Sequence, residues 1–189
     1  MPRVVALAVV VLLAAVAAAR ATTVIPPTFD QLVANAQSVF VAEVVDVRAV
    51  WRDTRERRVI KTQVTFRVED VWKGSASLTT QLEFLGGTLD GVTLQVHGVP
   101  TFRVGQRELL FVVDGGRPMV SPLVGFMHGR MRVERDPATG VDRVRTFDGR
   151  AFTSIAEIGA QRAPGVTVQT PMRLADFRSA VVARAGGAR

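Results

Sequence analysis

Alternating apolar and polar residues dominate the middle of the chain. Thr62, Val64, Phe66, Val68 and Trp72 alternate with Lys61, Gln63, Thr65, Arg67 and Glu69, which is the two-residue period of a strand with one core face and one wet face. The pattern returns in Leu78, Thr80, Leu82 and Phe84 against Thr79, Gln81 and Glu83, and in Val92, Leu94 and Val96 against Thr93, Gln95 and His97. Residues 39–47 are too uniformly apolar to show an inward face, so a long strand with a bulge that switches phase is expected. Residues 109–113, bounded by Gly105 and Gly115-Gly116, read as a strand buried on both faces. Weaker strands are expected at 119–124, 131–134 and 141–147, the last reached through the hairpin-like Asp136-Pro137-Ala138-Thr139-Gly140.

Helical signals lie at both ends of this β pattern. Thr28-Phe29-Asp30-Gln31 reads as a capping box after Pro26-Pro27, with Phe29, Leu32, Val33 and Ala36 on one face of a short docking helix. Residues 151–168 are irregular. After Pro171, the residues Leu174, Phe177, Val181 and Val182 line one face of a predicted helix that ends before Gly186-Gly187-Ala188-Arg189. Short strands at regular spacing describe a mainly β, antiparallel fold. A sandwich and a closed or partly open Greek-key barrel of the OB type both fit, with a short N-terminal helix and a C-terminal β/helix extension.

The first residues belong to a different category. Arg3 supplies a basic start, residues 4–19 an apolar run, and Ala19 and Ala21 a small-residue cleavage pattern, so residues 1–21 read as a secretory signal peptide cut after Ala21. The run is shorter than the about 20 apolar residues of a membrane span, and no transmembrane segment is expected after cleavage. With no cysteine behind the apolar run, a lipid anchor is excluded. The expected location is secreted or periplasmic. Removing 21 of the 189 residues leaves 168, enough for one domain with a core of its own. The expected division is 22–114 for the barrel and 115–189 for an extension packed on the same domain.

The absence of cysteine excludes disulfides, thiol catalysis and Cys-ligated zinc. Loss of Arg3 and Arg20 with the leader lowers the net charge from +7 to +5, carried mostly by arginines interspersed with acids. That spread describes a solvated surface rather than a nucleic-acid interface.

Candidate chemistry is sparse. His97 and His128, thirty-one positions apart, have no metal-ligand spacing and read as surface or turn residues. No serine sits in a nucleophile motif, and Gly86-Gly87-Thr88-Leu89-Asp90-Gly91 reads as a turn rather than a phosphate loop. Glu43 and Asp46, three apart, would point to opposite faces of a regular strand, although a bulge could bring them together. No catalytic residue, metal or cofactor is expected. The charged segment Trp51-Arg52-Asp53-Thr54-Arg55-Glu56-Arg57-Arg58 reads as a hairpin tip, and Arg52, Arg55, Arg57 and Arg58 are candidates for contact with an acidic partner.

The stretch Thr22-Thr23-Val24-Ile25-Pro26-Pro27 through Phe29, Ala34-Asn35 and Val39, then Val68-Glu69-Asp70-Val71-Trp72-Lys73-Gly74, and later Gly105-Gln106-Arg107-Glu108-Leu109-Leu110-Phe111, resembles the netrin-like module. Within it, the chain is similar to the amino-terminal domain of tissue inhibitors of metalloproteinases, over residues 22–114. The resemblance implies an OB-type barrel and a protein partner, an extracellular metalloprotease. In those inhibitors the free amino terminus and first carbonyl chelate the protease zinc, and the second side chain enters the specificity pocket. Thr22 and Thr23 would take these places after cleavage behind Ala21. An α-amine with its usual pKa of about 7.7 to 8.0 gives up its proton to a metal readily. Thr22, Val24 and Ala34 stand where the family has cysteines, so without that staple ordering the terminus costs entropy on binding. Two functions follow as expectations. One is an exported, non-enzymatic binding domain that partners or inhibits a metalloprotease. The alternative is an envelope-associated interaction module that engages an acidic partner through its Arg-rich loop.

Overall fold

The structure is a computed structural model that describes residues 25–113, 120–160 and 170–187. The leader, its cleavage site, Thr22 and Thr23 lie outside the described residues.

Helix α1 (Phe29–Asn35) starts at the expected capping box. Gln31 N–H donates to Thr28 Oγ1 at 3.3 Å, and Thr28 N–H donates back to Gln31 Oε1 at 2.9 Å. Phe29, Leu32, Val33 and Ala36 are all buried, as their spacing demands. The helix's C-terminal end is closed from a distance. Lys73 Nζ donates to the Val33 and Ala36 carbonyls at 2.6 Å each, placing a cation where the helix dipole is negative.

Eight strands follow: β1 (Ser38–Asp53), β2 (Arg58–Lys73), β3 (Thr79–Leu85), β4 (Gly87–Leu89), β5 (Val92–Leu94), β6 (Arg107–Val112), β7 (Arg130–Arg135) and β8 (Asp142–Thr146). Six of them form one antiparallel sheet in the order β3-β2-β1-β6-β7-β8, while β4 and β5 make a separate ribbon. Strands β1 to β3 are consecutive and β6 returns to lie beside β1, which is a Greek-key arrangement. Strands β3 and β8 are the two edges of the sheet, and among the described residues no strand pairing joins them. The end of β3 is tied elsewhere, by Leu85 N–H to the Val120 carbonyl at 2.9 Å.

Strand β1 is the hub, paired with β2 along most of its length and with β6 over residues 38–43. Its pairing with β2 slips three times, between Val39 and Phe40, Val41 and Ala42, and Val44 and Asp46. The first two slips add Trp72 and Glu69 to β2, and the third adds Val45 to β1, which is the phase switch expected within residues 39–47. Regular alternation before it lets one strand feed two cores. One face carries Val39, Val41, Trp72, Leu109 and Phe111 under α1 and helix α2 (Leu174–Gly186). The other carries Phe40, Ala42, Val44, Val64, Phe66, Phe84, Phe102, Leu110 and Val112. Strand β6 therefore alternates between two cores, which explains its continuous apolar run. The ring of Phe177 on α2 centres the first core, at 5.5 Å from Phe29, 5.7 Å from Phe152, 6.3 Å from Trp72 and 6.5 Å from Phe111.

Several expectations are corrected. Trp72 does not share a face with Val64 and Phe66: the extra residue Glu69, opposite the Val41–Ala42 step, puts Val71 on that face instead, so Trp72 turns into the other core. Leu78 precedes β3 and is 84% exposed, and Val92 on the isolated ribbon is 50% exposed. Gly87–Leu89 is strand rather than turn, and the turn itself is Asp90-Gly91, both at positive φ (51° and 75°), the two-residue hairpin geometry. Of residues 119–124, those described make a single bridge, Leu123 with Val112, instead of a strand. Val182 is 43% exposed, and the buried stripe of α2 runs through Leu174, Phe177, Val181 and Ala185. No helix among the described residues is long and apolar enough to cross a membrane.

Candidate functional site

The β1–β2 hairpin closes at Thr54, whose N–H and Oγ1 both donate to the Arg57 carbonyl, at 3.0 and 2.6 Å. The four arginines predicted to act together at this end are divided by the fold. Arg52 donates through Nε and Nη2 to Glu83 Oε1 on β3 at 2.9 and 2.5 Å, with Lys61 Nζ 3.6 Å from the same carboxylate. The hydrogen bond from Arg52 is the main cause holding the Glu83 carboxyl below its ordinary range. Arg58 lies 4.7 Å above the Trp51 ring, a cation–π contact. Trp51 in turn donates its indole Nε1 to Asp90 at 2.8 Å, which joins the long hairpin to the tip of the β4–β5 ribbon. Arg55 and Arg57 remain exposed, with no ion-pair partner among the described residues.

For Glu43 and Asp46, a bulge replaces the opposite faces of a regular strand. Val45 is extra in β1, so Glu43 lies opposite Arg67 and Asp46 opposite Thr65, two residues of β2 that share a face. Each carboxylate has its own arginine: Glu43 pairs with Arg67, and Asp46 with Arg48 at 3.7 Å. His97 is exposed. His128 sits in a 3-10 turn (Phe126–Gly129), edge-on to Phe147 at 5.1 Å between centroids. Burial lowers its pKa from 6.5, with Asp148 opposing and Arg150 adding to that shift. Among the described residues, no three or more His, Asp or Glu side chains are grouped to hold a metal.

The arginines of β7 and β8 escaped the sequence reading. Arg130 donates to Glu108 through Nε at 2.9 Å and Nη2 at 2.5 Å, and through Nη1 to the Thr101 carbonyl at 2.6 Å. It also lies 4.6 Å from the Phe102 ring. The pair is buried, with side chains 5% and 0% exposed. Desolvation pushes the Glu108 carboxyl upward, against the pull of Arg130 and Arg132. Arg132 lies opposite Glu108 on one side and opposite Arg145 on the other. Arg143 and Arg145 have carboxylate partners, Asp136 at 3.0 Å and Glu134 at 2.9 Å. The signal was present: arginines two apart, at 130 and 132 and again at 143 and 145, share a strand face.

Near the start of the described chain, Pro26, Pro27 and the turn 146–150 enclose a cavity of about 240 Å³, also lined by Leu32, His128, Arg130, Met131, Arg150 and Ile158. With this geometry in view, comparison with protein-family models, with curated proteins and with solved structures finds no match.

Proposed function

We propose that the chain is an exported protein-binding module of the OB-type, netrin-like class, and that its working end is the β1–β2 hairpin with the adjoining ribbon. The observation that carries this reading is the Trp51–Asp90 hydrogen bond, with Arg58 stacked on the same indole. It braces two hairpins into one end beside Arg55 and Arg57, which are exposed and have no ion-pair partner among the described residues. A braced end loses little conformational entropy on binding, and two exposed guanidiniums suit acidic side chains on a partner. The Greek-key order β6-β1-β2-β3 and the two-sided use of β1 support the OB-type class. The test is capture from the native exported fraction with the wild-type protein and an Arg55→Glu/Arg57→Glu variant as baits. Loss of a salt-sensitive partner with the variant supports the reading, and identical capture by both baits overturns it.

A second reading is inhibition of a metalloprotease through Thr22 and Thr23. The observation that favours it is a clamp on Pro27. Gly159 packs so closely there that a Cβ would lie 2.6 Å from the Pro27 carbonyl oxygen. That close approach packs Pro27 against residue 159 four residues after Thr23, with no disulfide involved. Inhibition of a zinc metalloprotease by the protein starting at Thr22, abolished by one extra residue in front of it, supports this reading. Equal inhibition by both forms overturns it.

A further inference from the structure

We infer that the chain forms a two-fold dimer in which β3 pairs antiparallel with β3 of a second copy, Gln81 facing its own counterpart across the axis. The sheet's two edge strands end differently. Beyond β8 lies more of the same chain: Arg143 bridges to Arg173 and Arg145 to Ala151, and the Val144 and Thr146 amides donate to the Met172 and Arg150 carbonyls at 3.0 Å each. Beyond β3, the backbone bond found among the described residues is that of Leu85 N–H to the Val120 carbonyl, at 2.9 Å.

Strand β3 pairs with β2 in continuous register, from Thr79 opposite Arg67 to Leu85 opposite Lys61. At its two ends, the Leu78 carbonyl accepts the Val68 N–H at 2.8 Å, and Gly86 N–H donates to the Ile60 carbonyl at 2.9 Å. Even-numbered residues therefore turn their amides and carbonyls toward β2, and alternation turns those of Thr79, Gln81 and Glu83 outward. Leu85, the next odd residue, obeys the same rule. Thr79 and Gln81 are exposed. The usual protections of an edge are missing: residues 79–85 contain no proline, lysine or bulge, and their one charge, Glu83, is neutralised by Arg52 and Lys61.

The order of residues along this edge suits a second copy. With Gln81 on the axis, Thr79 meets Glu83 of the partner subunit and the reverse, so all three outward residues exchange hydrogen bonds, about six in total. Each Glu83 then faces a threonine instead of another carboxylate. An axis at Glu83 sets two like charges opposite each other and needs the Leu85 N–H, which Val120 already holds. An axis at Thr79 draws in Ser77, which lies outside the strand and whose carbonyl already accepts from Thr80 Oγ1 at 2.9 Å. Axes at Thr80 or Leu82 set Ser77 or Leu85 against an outward residue in the same way. The Gln81 register also sets Leu78, 84% exposed in the single chain, across from Phe84 of the partner subunit. The edge uses neither Arg55 nor Arg57, so self-pairing stands apart from binding at the hairpin tip.

Sedimentation of the exported protein over a concentration series, with amide exchange followed by NMR, tests the pairing. A concentration-dependent dimer is expected. The Thr79, Gln81 and Glu83 amides should be protected in the dimer and exchange freely in the monomer, while those of Thr80, Leu82 and Phe84 stay protected in both. Gln81→Lys and Gln81→Glu should each weaken the dimer about fivefold at low salt, and an equimolar mixture of the two should restore it. Gln81→Pro should abolish the dimer and leave a folded monomer, because proline is tolerated where an edge N–H faces outward. If the proline variant does not fold, the two charge variants decide. A monomer at every concentration, protection of the three outward amides in the monomer by a cover from this chain or another, or charge variants that dimerise as tightly alone as mixed would overturn the inference.

Discussion

The indole Nε1 of Trp51 donates to Asp90 Oδ2 at 2.8 Å, a bond between residues 39 positions apart that fastens the tips of two hairpins. Asp90 also holds the left-handed first place of its turn, at φ 51°. Asp90→Ala should cost about 2 kcal/mol, roughly half from the lost hydrogen bond and half from alanine at positive φ. Asp90→Asn keeps an acceptor and suits the turn, so it should cost less than about 0.5 kcal/mol. Urea unfolding, with hydrogen exchange of residues 86–95 as a local readout, checks both.

The Arg130–Glu108 pair is desolvated, so its members are worth more together than apart. Arg130→Met alone should cost about 3–5 kcal/mol by leaving a buried carboxylate without its guanidinium. The double variant Glu108→Leu/Arg130→Met should recover a large part of that loss. Denaturant melts of the single and double variants give the coupling. A double variant no more stable than the worse single one would contradict the argument.

Phe177 touches four aromatic rings, whereas Val182, one face away on the same helix, is exposed. Phe177→Ala should cost about 3–5 kcal/mol, and Val182→Ala less than about 0.5 kcal/mol. The contrast, measured by thermal or urea unfolding, tests which stripe of α2 faces the core.

Lys73 and Gly74 fasten α1 to the end of β2. Lys73→Met removes the cation from the helix carbonyls and should cost about 1 kcal/mol. Gly74 has φ +67°, and a Cβ there would lie 2.2 Å from the Gln37 carbonyl oxygen. Gly74→Ala should therefore cost more than the about 1–2 kcal/mol of a left-handed residue alone. Far-UV and near-UV circular dichroism melts of the two variants establish the ranking.

His128 gives a pH signature. Its pKa is lowered in the folded chain, first by burial, so folding favours the neutral ring. The stability it contributes is fully present above its ordinary value of 6.5 and is lost as pH falls through the lowered folded-state value. His128→Gln should flatten that part of the stability curve while leaving the limb above pH 6.5 unchanged in slope. Urea midpoints taken across the pH range check the sign.

The parts of the fold legible in the chain were those decided within a few residues. The capping box at Thr28, the buried face of α1, the alternation of β2 up to Val68 and the two-sided burial of β6 all depend on near neighbours along the backbone. The parts that were not legible depend on partners far away. Trp72 continues the even-numbered pattern of Val64 and Phe66, yet its side is set by how β1 pairs with β2. The four loop arginines look alike in sequence, and only the positions of Glu83 and Trp51 separate Arg52 and Arg58 from Arg55 and Arg57. The Arg130–Glu108 pair joins residues 22 positions apart on neighbouring strands.

By itself, then, the sequence determined an antiparallel, mainly β chain with a helix near each end of the described fold and core faces set by local periodicity. Backbone geometry allows only two periods, and burial selects between them over short stretches. The tertiary structure alone decided where the bulges fall, which face each residue beyond a bulge takes, which charges are neutralised, and that a cavity lies between Pro26-Pro27 and the 146–150 turn. Register and ion pairing are sums over distant contacts, and a one-residue slip reverses a side chain without altering the local pattern.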